Sequence, residues 1–177
     1  MQNVAEYVSQ VTVRAERFVD DGSIPNNPTL PLLIYKNVVR LEGPDPAQIF
    51  ESIFAANDWP PVWRNGIEPY HHYHSMSHEV VGVYSGYANT LFGGENGVEI
   101  LIEQGDVALI PAGTGHKCLS RSDDLGIVGA YPDGFVVDVR RGQHHERPAC
   151  LESIASLPVP PSDPVFGTAG PLQEHWS

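Results

Sequence analysis

The chain has 177 residues, 22 acidic against 10 basic side chains, a net charge of −12, and 8 histidines. That balance argues against a nucleic-acid partner, because neutralising phosphates takes a basic stripe, and against an anionic membrane surface for the same reason. Hydrophobic residues at 41% and charged residues at 18% describe a folded chain with enough core formers, not a disordered one.

In an N-terminal extension, residues 1–62, the stretch from Val11 to Val19 alternates loosely. Leu30 to Tyr35, entered through Ile24-Pro25-Asn26-Asn27-Pro28, predicts an edge strand, since proline is tolerated at strand starts and edges. Asp45 followed by Pro46 reads as an N-cap and first helical residue, and Ile49, Phe50, Ile53 and Phe54 recur at helical spacing. One helix is therefore predicted over about 45–57, ended by Asn57-Asp58-Trp59-Pro60-Pro61.

From about 63 to 140 the texture changes to short apolar runs between glycine turns. Val80 to Tyr84, Tyr87 to Phe92, Val98 to Ile102, Val107 to Ile110 and Phe135 to Val139 are strand-sized, and Glu95-Asn96-Gly97 is a hairpin-type turn. An all-β fold follows, a compact antiparallel sandwich or barrel. Residues 141–177 form a proline-rich tail with a short helix from Pro148 to about Ser156. Its Val165, Phe166, Leu172 and Trp176 favour docking, on the same domain or on a neighbouring copy. The length fits one domain spanning 1–177. The opening MQNVAEYVSQ has neither the cationic nor the apolar region of a signal peptide, so a cytoplasmic protein is expected, and Cys118 and Cys150 read as free thiols.

His71, His72, His74 and His78 fall within eight residues and Glu79 follows at once. Side chains alternate along a strand, so His72 and His74 point one way while His71 and Tyr73 point the other. Two imidazoles on one face form half a metal site, which a carboxylate and a further histidine from another strand would complete. Glu79 and His116 are the candidates, the latter delivered by the turn Pro111-Ala112-Gly113-Thr114-Gly115. His78 is an alternative ligand, although a shift of one residue aims it at the opposite face. A zinc-protease HExxH helix fails because Gly82 stands where its second histidine belongs. His71 reads as a surface or interface residue, and His144-His145-Glu146 as a solvated loop in preference to a second metal site. Cys118 shares the strand parity of His116 and reads as an inert buried thiol, and Tyr70 by the same parity lines a pocket.

The segment Gly66-x5-His72-x-His74-x4-Glu79-x6-Gly86 resembles the first cupin motif at every defining position, and Gly105-x5-Pro111-x-Gly113-x2-His116 resembles the second. The second motif ordinarily closes on an asparagine where this chain has Ser120, a position that is not a ligand. Ile24-Pro25-Asn26-Asn27-Pro28, His72-Tyr73-His74-Ser75 and Gly129-Ala130-Tyr131-Pro132-Asp133-Gly134 are similar to the YjlB-type single-domain bacterial cupins. The resemblance implies a single RmlC-like jelly-roll β-barrel with its core at about 63–140, a small-molecule ligand and a homodimer paired through barrel edges. It further implies one divalent metal ion per chain, Fe, Mn, Ni or Zn, held by His72, His74, Glu79 and His116. Such a site leaves two positions open on a six-coordinate ion. Those positions suit either side-by-side binding of dioxygen and substrate or Lewis-acid polarisation of an oxygen, the logics of oxygenases and of isomerases or epimerases. Neither His78 nor Tyr70 has the spacing that would name it a general base. A non-catalytic small-molecule or metal-binding module is therefore the alternative.

Overall fold

The computed structural model describes residues 4–134 and 137–177. In chain order the elements are β1 (Thr12–Glu16), β2 (Leu32–Lys36), α1 (Pro46–Ala56), β3 (Pro61–Asn65), β4 (Glu79–Ser85), β5 (Tyr87–Phe92), β6 (Val98–Glu103), β7 (Val107–Ile110), β8 (His116–Arg121), β9 (Gly126–Ala130), α2 (Ala149–Ser156) and α3 (Pro171–His175). The strands form two antiparallel sheets, one of six in the order β1-β2-β7-β4-β9-β3 and one of three in the order β6-β5-β8. The fold is all-β, but among the described residues no ladder joins the two sheets into the closed barrel expected from the motifs.

Burial explains why the strands read so differently. The six-stranded sheet is covered on both faces. Leu32, Ile34, Val81, Val83, Ile110 and Ile127 pack against Phe92, Ile100 and Ile102 of the smaller sheet. Leu33, Tyr35, Val80, Leu109 and Val128 on the opposite face pack against Ile49, Phe50, Ile53 and Phe54 of α1 and against Leu172 and Trp176 of the tail. Strands β2, β4 and β7 are accordingly continuous apolar runs, whereas β5 and β6 alternate because one of their faces meets solvent. Burying each large apolar side chain of α1 is worth about 1.5–3 kcal/mol, which outweighs the modest intrinsic helix preference of Ile and Phe.

Several expectations change. The strand at Leu32–Lys36 is interior, between β1 and β7, because the loosely alternating N-terminal segment pairs with it and occupies the edge. Asp45 stands before the helix, yet its carboxylate accepts hydrogen bonds from Arg64 and makes no side-chain cap. Of the strand expected at Phe135 to Val139, Phe135 and Val136 lie outside the described residues and 137–139 form no strand. Strands β3 and β9 are unforeseen, and the two glycines of β9 dilute its apolar pattern. Gly129 is bare for a reason, since a Cβ there would lie 2.0 Å from the Trp63 indole that crosses it.

The tail docks on its own chain. Asp163, fully buried, accepts hydrogen bonds from the Tyr35 hydroxyl at 2.6 Å and from the Leu172 N–H at 3.0 Å. Trp176 is buried and donates its indole N–H to the Pro31 carbonyl at 2.8 Å. These bonds hold the apolar tail residues in place on the sheet of their own domain. Among the described residues no helix is long and apolar enough to cross a membrane.

Candidate metal centre

The four motif side chains come together from three places. His72 and His116 face each other across a two-way backbone bridge, His72 N–H to His116 O at 3.2 Å and His116 N–H to His72 O at 3.0 Å. His74 follows two residues on. Glu79 opens β4, in register with Ile110 of β7. The turn between β7 and β8 is held by the proline-flanked asparagines. Asn27 donates to Ala112 O at 2.9 Å, while the Asn26 amide donates to Gly93 O at 3.0 Å and accepts the Gly115 N–H at 3.2 Å. Gly113 in that turn has φ +89°, and a Cβ would meet the Asn26 carbonyl at 2.6 Å, so only glycine fits. Its N–H binds the His74 carbonyl at 2.8 Å, tying the two motifs together.

One nitrogen from each of His72, His74 and His116 lies within 4.8 Å of the others, and all three rings are buried. Glu79 Oε2 stands 3.3 Å from His74 Nε2 and 3.3 Å from His116 Nε2. The far nitrogens are spoken for. His72 Nδ1 faces Tyr70 O at 3.3 Å, His74 Nδ1 faces Asp138 O at 2.5 Å, and His116 Nδ1 faces Thr114 O at 3.1 Å. A carbonyl can only accept, so each Nδ1 carries its hydrogen, and the neutral tautomer of each ring turns an Nε2 lone pair into the site.

This donor set fits a cation. Glu79 is buried and its Oε2 has no hydrogen-bond donor, the histidine nitrogens beside it being close but out of line. A buried carboxylate oxygen among imidazole lone pairs is repulsive until a positive charge is placed between them. The titration pattern has the same origin. Burial alone would raise the Glu79 carboxyl, but His74 and His116 beside it hold it well below the usual range. Burial alone would lower His74, and the Glu79 charge lifts it above an ordinary imidazole. His72, farther from the carboxylate, is pushed down to about 3 by burial and by His116. A site that draws a proton onto a buried imidazole draws a divalent ion for the same electrostatic reason.

The remaining candidates separate cleanly. His78 accepts the Ala112 N–H on Nδ1 at 3.0 Å, faces Pro158 O at 3.2 Å through Nε2, and packs on Trp176. With both nitrogens engaged it is a structural residue, lowered to about 4 by burial. His71 is partly exposed, its side chain 10% exposed, and its Nδ1 faces the exposed Glu95 at 3.0 Å. His144 and His145 are exposed as expected, while Glu146 is buried and accepts the Tyr73 hydroxyl at 2.7 Å. Cys118 is a buried free thiol, raised by burial, and Tyr70 lines the cavity.

Two residues that spacing did not reveal also matter. Asp138 accepts the Ser75 N–H at 2.9 Å and the Ser75 hydroxyl at 2.6 Å, fixing the loop that follows His74. Tyr131, in a segment quoted above only for its resemblance, lines the cavity edge-on to His74. The cavity measures about 220 Å³ and is lined by Glu79 together with Trp63 and Asn65 of β3 and His116 at the start of β8.

Two facing antiparallel sheets that carry both motifs, and converge their histidines and glutamate at one cavity, are the arrangement that the resemblance to the cupins implies. The chain is 41% identical over 159 residues to a protein of Bacillus subtilis (strain 168) described as uncharacterized protein YjlB, a match spanning 90% of this chain and 93% of that one. It belongs to the YjlB family. No family model matches the chain. Among solved structures, RmlC from Streptococcus suis in complex with dTDP-D-xylose is 15% identical, with 73% of each chain covered and a TM-score of 0.39. Oxalate decarboxylase from Bacillus subtilis is 16% identical, with 95% of this chain and 43% of that one covered and a TM-score of 0.36. Likenesses this loose say nothing of what the chain does.

Proposed function

We propose that the protein is a metal-dependent enzyme that holds one divalent ion, Fe, Mn, Ni or Zn, on His72, His74, Glu79 and His116 and acts on a small polar metabolite. The observation that carries the reading is Glu79 Oε2, buried without a hydrogen-bond donor and 3.3 Å from two imidazole nitrogens. A bound ion supplies Lewis-acid or dioxygen chemistry at its open positions. The chain's own part is to orient and to exclude water. The Nδ1 bonds to Tyr70, Asp138 and Thr114 carbonyls fix the rings, Asp138 anchors the loop carrying His74, and Trp63, Val81 and Ile110 wall the cavity. Oxygenase and isomerase or epimerase chemistry both suit this arrangement.

The test is turnover by the loaded protein. Protein reconstituted anaerobically with each of the four metals is screened for oxygen uptake and for conversion of aldoses and 2-oxo acids. Turnover that disappears in Glu79→Ala is expected. Turnover that survives in Glu79→Ala would sink the reading, and none at all in the loaded wild type would leave a non-catalytic binding module.

A further inference from the structure

Tyr131 is 4% exposed and its ring stands edge-on to His74, centroids 5.8 Å apart at 83°. The Trp63 indole donates its N–H to the Tyr131 oxygen at 2.9 Å. An indole can only donate, so this bond occupies a lone pair of the phenol and leaves the phenol's own hydrogen to be directed elsewhere. Two features of the chain exist to place that indole. Gly129 leaves room for it, and the β3–β9 register shifts between Pro61 and Trp63. Tyr131 and Glu79 line the same cavity. A phenol, with an ordinary pKa of about 10, is neutral near pH 7 and therefore a donor. Its hydrogen is available to an oxygen of whatever fills the cavity that Tyr131 lines.

Charge narrows the class. Arg140 and Arg147 are paired with Asp138 and Asp20, whereas Arg141 has no ion pair among the described residues. Its guanidinium lies flat on Tyr70, 3.6 Å from the ring centroid, and Tyr70 both lines the cavity and stands 5.8 Å from the His72 ring. The cavity lining itself carries the carboxylates of Glu68 and Glu79, and Arg141, stacked on the lining residue Tyr70 and without an ion pair among the described residues, is a cation available to the carboxylate of a ligand. A cavity of about 220 Å³ is below the usual range for drug-sized ligands and fits a ligand of a few carbon atoms.

We infer that Tyr131 donates a hydrogen bond to a small chelating carboxylate of the 2-hydroxy- or 2-oxo-acid class bound beside Glu79, with Trp63 as its positioning residue. This rests on the metal site proposed above.

The experiment measures pyruvate affinity by calorimetry on the Mn(II)-loaded full chain, with propionate as the probe that lacks the second oxygen. Wild type should bind pyruvate more tightly than propionate. Tyr131→Phe should keep its manganese and lose about tenfold or more in pyruvate affinity. Trp63→Phe should lose less, about threefold, because the hydroxyl stays but is no longer oriented. Equal pyruvate affinity in wild type and Tyr131→Phe overturns the inference while leaving the metal site standing, as does a loaded wild type that ignores pyruvate. Failure of the wild type to take up manganese overturns the inference and the metal site together.

Discussion

Replacing Trp176 by alanine tests whether the tail is an integral wall of the core. The indole is 1% exposed, packs on the His78 ring with centroids 4.9 Å apart, and is the donor to the buried Pro31 carbonyl at 2.8 Å. Truncating a buried tryptophan costs about 3–5 kcal/mol, and the carbonyl left without a donor places this case toward the upper half, about 4 kcal/mol. With an unfolding entropy of about 2.1 cal/mol/K per residue, a chain of 177 residues has roughly 0.37 kcal/mol per kelvin, so the melting temperature should fall by about 11 °C. Trp176→Phe keeps most of the packing and loses the N–H, for a fall of about 3 °C. Circular dichroism melts of the two variants and wild type separate the contributions. A fall below about 3 °C in Trp176→Ala would refute the reasoning, since it would mean that a residue buried to this degree contributes no more than a surface one.

Glu146 provides a pH-dependent counterpart. Burial alone would raise its carboxyl, but the Tyr73 hydroxyl and the Arg141 and Gly142 N–H groups that it accepts hold it below the usual value. A carboxylate lowered by folding stabilises the protein above its unfolded pKa of about 4.3, and that contribution is lost as pH falls through the folded value. Glu146→Gln should therefore cost about 1–3 kcal/mol at pH 7, with the gap to wild type narrowing below about pH 4 in urea melts; a gap that does not narrow would rule the linkage out. Chelation should also destabilise the wild type. An ion present at a thousandfold over its dissociation constant adds about 4 kcal/mol, so stripping it should lower the melting temperature by about 8–16 °C, and an unchanged melt would count against a native-state ion.

The site was more legible than its surroundings because its information is local. Alternation places His72 and His74 on one side, and the turn residues from Pro111 to Gly115 announce the delivery of His116. Glu79 and His78 were distinguishable by parity alone, and the fold separates them by giving both nitrogens of His78 other partners. What the sequence hid is tertiary. Asp138 reaches Ser75 from 63 residues away, and Trp63 reaches Tyr131 from 68 residues away, pairings that no periodicity encodes. Asp45 shows the converse, a residue with strong local preference for capping that is outbid by Arg64 across the surface. The interior strand β2 was misplaced to an edge because proline at its entry is equally compatible with a strand start, and only the pairing with β1 decides.

Metal stoichiometry tests the central claim most directly. Elemental analysis of the purified full chain, alongside His72→Ala, should find close to one divalent ion per wild-type chain and a sharp reduction in the variant. A wild type that carries no metal after reconstitution, or a His72→Ala variant with unchanged content, would contradict the account.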